Sequence, residues 1–220
     1  MNGFFITFEG IEGSGKTTQI RRLSDHLRAR GLDTVLTREP GGTTIGDRIR
    51  DILLAPDHAH LDPVAELLLY NASRRQHITE VIAPARTAGK IVLCDRYADA
   101  TRAYQGAARA LDAATVETLH RIATDNLEPD LTILIDCPVD WGLAHAVRRN
   151  RELNLIGTED RFEREARDFH ERVREGYLAI ARRAPDRVKV IDGARSIDEV
   201  QKDVKKVVEG FLSLSPCGRG

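Results

Sequence analysis

The stretch Gly10-Ile11-Glu12-Gly13-Ser14-Gly15-Lys16-Thr17 constrains this chain more than any other. Its pattern, Gly, four residues, Gly, Lys, Thr, is that of a phosphate-binding loop. Glycines let the backbone turn so that successive N–H groups face phosphate oxygens, and side chains at those positions would block the approach. A helix is expected to start near Lys16 and to add its positive N-terminal end. Lys16 is then a point charge for the β- and γ-phosphates, and the Thr17 hydroxyl is a ligand for Mg²⁺. The flanks agree with this reading. Phe4-Phe5-Ile6-Thr7-Phe8 predicts a buried strand before the loop. Ile20, Leu23 and Leu27 recur at helical spacing after it, with Gly31 as the C-terminal cap.

The chain has 220 residues, 41% of them hydrophobic, enough for one globular domain with a sizeable core. That domain is expected over residues 1–212, with a frayed tail over 213–220. A formal net charge of -1 provides no overall basic field, so nucleic acid is not an expected partner. Cys94, Cys137 and Cys217 are odd in number and lack a Cys-x-x-Cys spacing, which points away from disulfides and zinc and toward a reducing, cytoplasmic location. The N-terminal residues do not read as a signal peptide, and no apolar stretch approaches membrane-spanning length.

Further apolar runs at Thr34–Thr37, Ile91–Cys94, Leu131–Ile135 and Val188–Ile191 alternate with helical patterns. Asp62-Pro63 is a cap followed by a first-turn proline, leading a helix through Leu67, Leu68 and Ile78. Val116, Leu119 and Ile122 mark another helix. Phe162, Ala166, Phe169, Val173 and Tyr177 form a long stripe, and Ser196 to Glu199 is a capping box before Val200, Val204, Val207 and Phe211. Strands alternating with helices predict an α/β fold with a parallel sheet covered on both faces. Ligands of such sheets bind beyond the carboxyl ends of the strands.

The residues at those ends carry chemistry. Asp95, after the third strand, is placed where phosphate-loop enzymes keep a second carboxylate near Mg²⁺. Arg38, Arg50, Arg74 and Arg96 are candidates to converge on a second anionic group, because guanidinium forks suit phosphate oxygens.

Phe-Glu-Gly-Ile-Glu-Gly-Ser-Gly-Lys-Thr-Thr from Phe8, Thr-Arg-Glu-Pro-Gly-Gly-Thr from Thr37, Ser73-Arg74-Arg75, Asp95-Arg96-Tyr97, Ala103-Tyr104-Gln105-Gly106 and Asp160-Arg161-Phe162-Glu163 together resemble the thymidylate kinases. That family moves the γ-phosphate of ATP onto dTMP. The resemblance implies a three-layer nucleoside-monophosphate-kinase-like fold, a five-stranded parallel sheet flanked by helices, a mobile lid at about residues 148–161, and a homodimer. It implies that Gly10, Glu12, Gly13, Ser14, Gly15, Lys16, Thr17 and Thr18 hold ATP, and that Thr17 and Asp95 hold Mg²⁺. For dTMP it implies Glu12 near the sugar, and Arg38, Arg50 and Arg96 on the phosphate, with Glu39 among the contacts. Tyr70 matches the position that stacks on thymine, Arg74 the one at the base edge, and Thr101 and Gln105 the pocket lining. Tyr104 matches the residue that crowds the 2′ position. The loop's four variable positions contain no base, so the resemblance is to the subgroup whose lid supplies the catalytic arginine, with Arg149, Arg151 and Arg161 as candidates. Ala100 stands where the family usually has serine.

Two rivals are weighed beside it. A deoxynucleoside kinase would need a base for its hydroxyl acceptor, a role for which Glu39 is available. A guanine-nucleotide switch would need an Asn-Lys-x-Asp reader, and the sequence has none.

Overall fold

Five short apolar runs become the five strands of one parallel sheet: β1 (Phe5–Glu9), β2 (Thr34–Arg38), β3 (Ile91–Asp95), β4 (Leu131–Asp136) and β5 (Val188–Asp192), in the order β2-β3-β1-β4-β5. The computed structural model describes residues 2–153 and 160–214 of the chain. Each strand runs one residue further than its apolar run predicts and ends on a charged side chain: Glu9, Arg38, Asp95, Asp136 or Asp192. The ladder is made by the backbone, so pairing continues through Arg38↔Asp95 and Asp136↔Asp192 whatever the side chain. The carboxyl rim of the sheet is therefore lined with charge, while the strands behind it are mostly apolar.

The helices are α1 (Lys16–Ala29), α2 (Thr44–Leu54), α3 (Pro63–His77), α4 (Ala83–Thr87), α5 (Ala98–Thr101), α6 (Ala113–Thr124), α7 (Val139–Glu152), α8 (Arg167–Arg183) and α9 (Ile197–Leu214). The cap signals act as written. Asp62 accepts from Val64 N and Ala65 N at 2.9 and 3.1 Å, and Ser196 and Glu199 bond reciprocally. Two segments, Ile78–Ile82 and Arg102–Ala108, are wound as π-helix, a feature that apolar spacing does not signal. The stripe from Phe162 predicts a helix from that residue, whereas α8 begins at Arg167. Phe162 reaches the same apolar cluster from a turn and stands 6.4 Å, ring to ring, from Phe169. The expected lid divides similarly: residues 148–152 are the last turn of α7, and 154–159 lie outside the described residues.

One face of the sheet offers Ile6, Phe8, Leu93, Ile133 and Ile135 to Ile20, Leu23 and Leu27 of α1 and to Val200, Val204 and Val208 of α9. Toward the other face, Leu134 packs with Phe169, Val173 and Tyr177 of α8, and Phe5, Val92 and Cys94 pack with Tyr97 and Ile82. Between β1 and β4, Thr7 and Thr132 satisfy each other's buried hydroxyls at 2.8 Å.

The phosphate loop is clamped between β1 and α7. Gly13 has φ +68°, and a Cβ there would stand 1.9 Å from Gly142 O. From the other side, a Cβ on Gly142 would stand 2.6 Å from Glu12 O and 2.9 Å from Ile11 Cδ1. Two glycines thus let a helix backbone lie directly on the loop. Gly142→Ala is expected to lower stability by about 1–3 kcal/mol through this overpacking, and to reduce nucleotide affinity with it. Thermal unfolding reads the first effect, and an unchanged midpoint would show that α7 is not pressed on the loop.

Candidate active site

The loops at the carboxyl rim enclose a cleft of about 1130 Å³. Its floor is the phosphate loop. Gly15, with φ +94°, caps α1, and Lys16 is the first residue of that helix. The Lys16 ammonium donates to Gly10 O, Ile11 O and Ser14 Oγ at 3.0, 2.7 and 3.2 Å, so it sits inside the curve of the loop. Burial, joined by the charge of Arg96, pulls its pKa down to about 8. Beside it, Thr17 Oγ1 donates to Asp95 Oδ2 at 2.6 Å. Two adjacent hard oxygen donors on an open floor fit Mg²⁺, which takes few protein ligands and fills the rest of its octahedron with phosphate oxygens and water.

A second layer surrounds Glu12. Its Oε1 accepts from Arg96 Nη2 at 3.1 Å and from the Tyr104 hydroxyl, and the Arg96 guanidinium lies 5.0 Å above the Tyr104 ring. His170 Nδ1 stands 3.3 Å from Glu12 Oε2, close enough for charge pairing though out of line for a hydrogen bond. Burial alone would raise the Glu12 carboxyl, but His170, Arg96 and Tyr104 hold it well below the usual carboxylate range. Arg96 itself has φ +71°, a left-handed conformation at the residue following β3. Its amide still donates to Phe8 O at 2.9 Å, and its Nη1 donates to the Tyr177 hydroxyl at 2.9 Å. Such strain at a cleft residue is held by the contacts around it. Below this layer Glu9 accepts from Tyr97 N and the Tyr177 hydroxyl at 2.7 and 2.8 Å. Burial and the Asp99 charge push Glu9 up to about 8 against the pull of Arg96.

Another part of the cleft is organised by Glu39, which the structure holds in place. It receives Arg74 Nε at 2.8 Å and His77 Nδ1 at 2.9 Å, and His77 Nε2 meets Thr37 Oγ1 at 2.6 Å. Burial would raise Glu39, but Arg74 and His77 lower it, so it is a poor proton acceptor. Arg74 is buried; its Nη2 donates to Tyr97 O and Thr101 Oγ1, and its Nη1 alone has no partner among the described residues. Glu39 pairs with Arg74 in place, while Arg74 still lines the cleft. Arg38, half-exposed and 3.5 Å from Asp47, and Arg50, donating to Pro40 O at 3.2 Å, line the cleft with Arg96.

Tyr70, Thr101, Tyr104 and Gln105 also line it, as do Glu12, Gly13, Ser14, Gly15 and Thr18. Gly10 lies behind the loop against Ile135 O. The three lid arginines separate. Arg149 lines the cleft, bonded to Asn150 Oδ1 and to Glu163 Oε1. Arg151 is exposed on α7 outside that lining. Arg161 is 4% exposed, paired with Glu66 Oε2 at 2.6 Å and donating to Leu53 O at 3.0 Å. Both contacts fix it to α3 and to the end of α2, outside the cleft lining. Sequence reading also missed Glu9, Glu66, His77, His170 and Tyr177. Each is a buried polar residue on an apolar helix face or strand end, and nothing local marks it. Trp141, stacked 3.8 Å from His145, and Arg195 also line the cleft.

A family model described as thymidylate kinase matches residues 8–204. The chain is 57% identical over 211 residues to a thymidylate kinase of Syntrophotalea carbinolica, covering 96% of this chain and 97% of that one. It is 50% identical over 216 residues to one from Desulfovibrio desulfuricans, covering 98% and 99%. Among solved structures, thymidylate kinase from Ehrlichia chaffeensis superposes with a TM-score of 0.74 at 36% identity, over 95% of this chain and 99% of that one.

The lowered Lys16 pKa has a measurable sign. Above about pH 8 the free side chain loses its proton, and an anion restores it. ATP binding is therefore expected to take up a proton and to weaken as pH rises through about 8, and not below pH 7 on this account. Calorimetry in buffers of different ionisation heat measures the uptake. Lys16→Arg, charged throughout, is expected to abolish the step.

Proposed function

Because the chain belongs to the thymidylate kinase family, we propose that its cleft holds ATP and dTMP end to end over the carboxyl rim. The protein is a nucleoside monophosphate kinase: it transfers the γ-phosphate of ATP to dTMP, giving dTDP and ADP. The observation that carries the residue assignment is the convergence, in one cleft, of the phosphate loop, Arg38, Arg50, Arg96 and the base-side group Tyr70, Arg74, Thr101 and Gln105.

The acceptor is a phosphate monoester, mostly ionised at neutral pH (second pKa about 6 for comparable groups). It is a nucleophile already, so no general base is required. This agrees with a Glu39 locked between Arg74 and His77, and it removes the residue on which a thymidine-phosphorylating rival would rely. Arg38, Arg50 and Arg96 hold the acceptor phosphate. Arg74 presents its unpartnered Nη1 to a carbonyl of the base, and Tyr70 offers a flat ring to its face. Tyr104, tied to Glu12 through its hydroxyl, stands rigidly beside the sugar and excludes a 2′ substituent by clash. On the donor side the loop amides and Lys16 take the phosphates, and the base of ATP lies toward Trp141 and Arg195. Thr17 and Asp95 would hold Mg²⁺, which supplies charge neutralisation between the phosphates when bound. Catalysis by the chain is then alignment plus electrostatic stabilisation of the transferring group.

Arg149 is the arginine we assign to that group, because among the three candidates it alone lines the cleft. Val64 and Leu68, one turn apart on α3 and 45% and 50% exposed, support a homodimer through that side of α3. Among the described residues no helix is long and apolar enough to cross a membrane, and the free, buried thiols of Cys94 and Cys137 suit the cytoplasm.

Turnover of ATP with dTMP, with thymidine and with neither tests the reading. Strong stimulation by dTMP alone is expected, and stimulation by thymidine alone would overturn it. Arg149→Ala is expected to lower kcat by roughly 10³-fold with little change in ATP binding. Arg161→Ala should instead destabilise the fold by about 3–5 kcal/mol, by stranding Glu66. Turnover of the Arg149 variant within a few-fold of normal would transfer the role elsewhere.

A further inference from the structure

Glu66, in the first turn of α3, is fully buried at 0% exposure. Its Oε2 accepts from Arg161 Nη2 at 2.6 Å, and Arg109 Nε lies 3.6 Å from its Oε1. With two guanidinium groups on it, Glu66 is a carboxylate and only accepts hydrogen bonds. Its remaining contact is with the cleft: Gln105 Nε2 donates to Glu66 Oε1 at 2.7 Å. A carboxamide has a donor end and an acceptor end, and which one faces a ligand is decided by what holds the other. Turning the Gln105 amide over would set its oxygen against the carboxylate, in a site where water does not reach. The carbonyl end is therefore left as the acceptor that Gln105 offers to the cleft.

We propose that Glu66 is a positioning residue for base selection: by fixing the Gln105 amide it makes the pocket specific for a pyrimidine with a ring N–H, as in thymine or uracil, over one with a ring nitrogen lone pair, as in cytosine. The inference rests on the placement of the base beside Gln105 given above. A cytosine in the same pose sets its N3 lone pair against the Gln105 carbonyl, and Gln105 cannot rotate to accommodate it. Sites built to pair one hydrogen-bond pattern reject the mismatched one strongly, because buried polar groups are left without partners. Arg161 and Arg109 have a part in this. They pair with the Glu66 carboxylate, whose acceptor oxygens make the orientation of Gln105 one-sided.

The test compares kcat/KM for dTMP and dCMP in the unaltered enzyme, in Glu66→Gln, and in the paired exchange Glu66→Gln with Gln105→Glu. Glu66→Gln accepts either end of the Gln105 amide, so the dTMP to dCMP ratio is expected to fall by about tenfold or more, chiefly through KM. The paired exchange again leaves only acceptors facing the base and is expected to bring the ratio back toward the unaltered value. A merely structural Glu66 would lower both substrates equally in both variants, and that outcome overturns the proposal. Should Glu66→Gln fail to fold, a crystal structure of the unaltered enzyme with dTMP decides. The Gln105 amide bridging Glu66 and ring N3 supports the assignment, and N3 lying elsewhere refutes it. Absence of dTMP turnover in the unaltered enzyme would be a separate failure, of the kinase reading itself.

Discussion

A carboxylate at the centre of a site made for phosphates has to be neutralised where it stands, and Glu12 is that carboxylate. It lies inside the phosphate loop, where its own charge would repel the ligand. Arg96, Tyr104 and His170 close around it from the end of β3, from the π-wound segment and from α8. Three separate stretches of chain must be in register for this to happen. The parallel sheet supplies the register, since Phe8 of β1 pairs with Asp95 of β3 and brings Arg96 beside the loop. The phosphate loop can only be a cation-rich cradle because the sheet has already matched its one buried anion.

The same logic separates the arginines. By sequence they are interchangeable, and by structure they are not. Arg74 and Arg161 are buried and matched to Glu39 and Glu66, which fixes how each is oriented, though only Arg74 also lines the cleft. Arg38 and Arg149 keep substantial exposure and line the cleft, so their charges are available to a ligand. A buried ion pair contributes little net stability but makes one geometry far better than its alternatives. Here one buried pair fixes Arg74, itself assigned to the base, and the other stands behind Gln105 through Glu66.

Much of this was legible beforehand, for reasons that can be named. Strand positions follow from apolar runs, and the phosphate loop follows from a backbone path that only its glycines permit. Asp62-Pro63 and Ser196 to Glu199 mark helix starts because capping is local chemistry. The residues that the family resemblance assigns to dTMP all line one cleft, and that resemblance is the basis of the roles proposed for them. What stayed hidden depends on contacts far apart in the chain. Glu66 meets Arg161 across 95 positions and His77 meets Glu39 across 38, and no window on the sequence spans either. The start of α8 was misplaced because Phe162 fits the helical stripe in spacing yet reaches the core from a turn.

The π-wound segment Arg102–Ala108 holds Tyr104 and Gln105 next to each other in sequence, yet one bonds Glu12 and the other Glu66. Ordinary α-winding advances about 100° per residue, and the wider turn advances less. Gain or loss of a single residue here would rotate everything after it about the helix axis. It would swing Tyr104 and Gln105 off their carboxylates together, without altering either side chain. The angular phase of one helix thus couples two recognition elements that chemistry alone would leave independent.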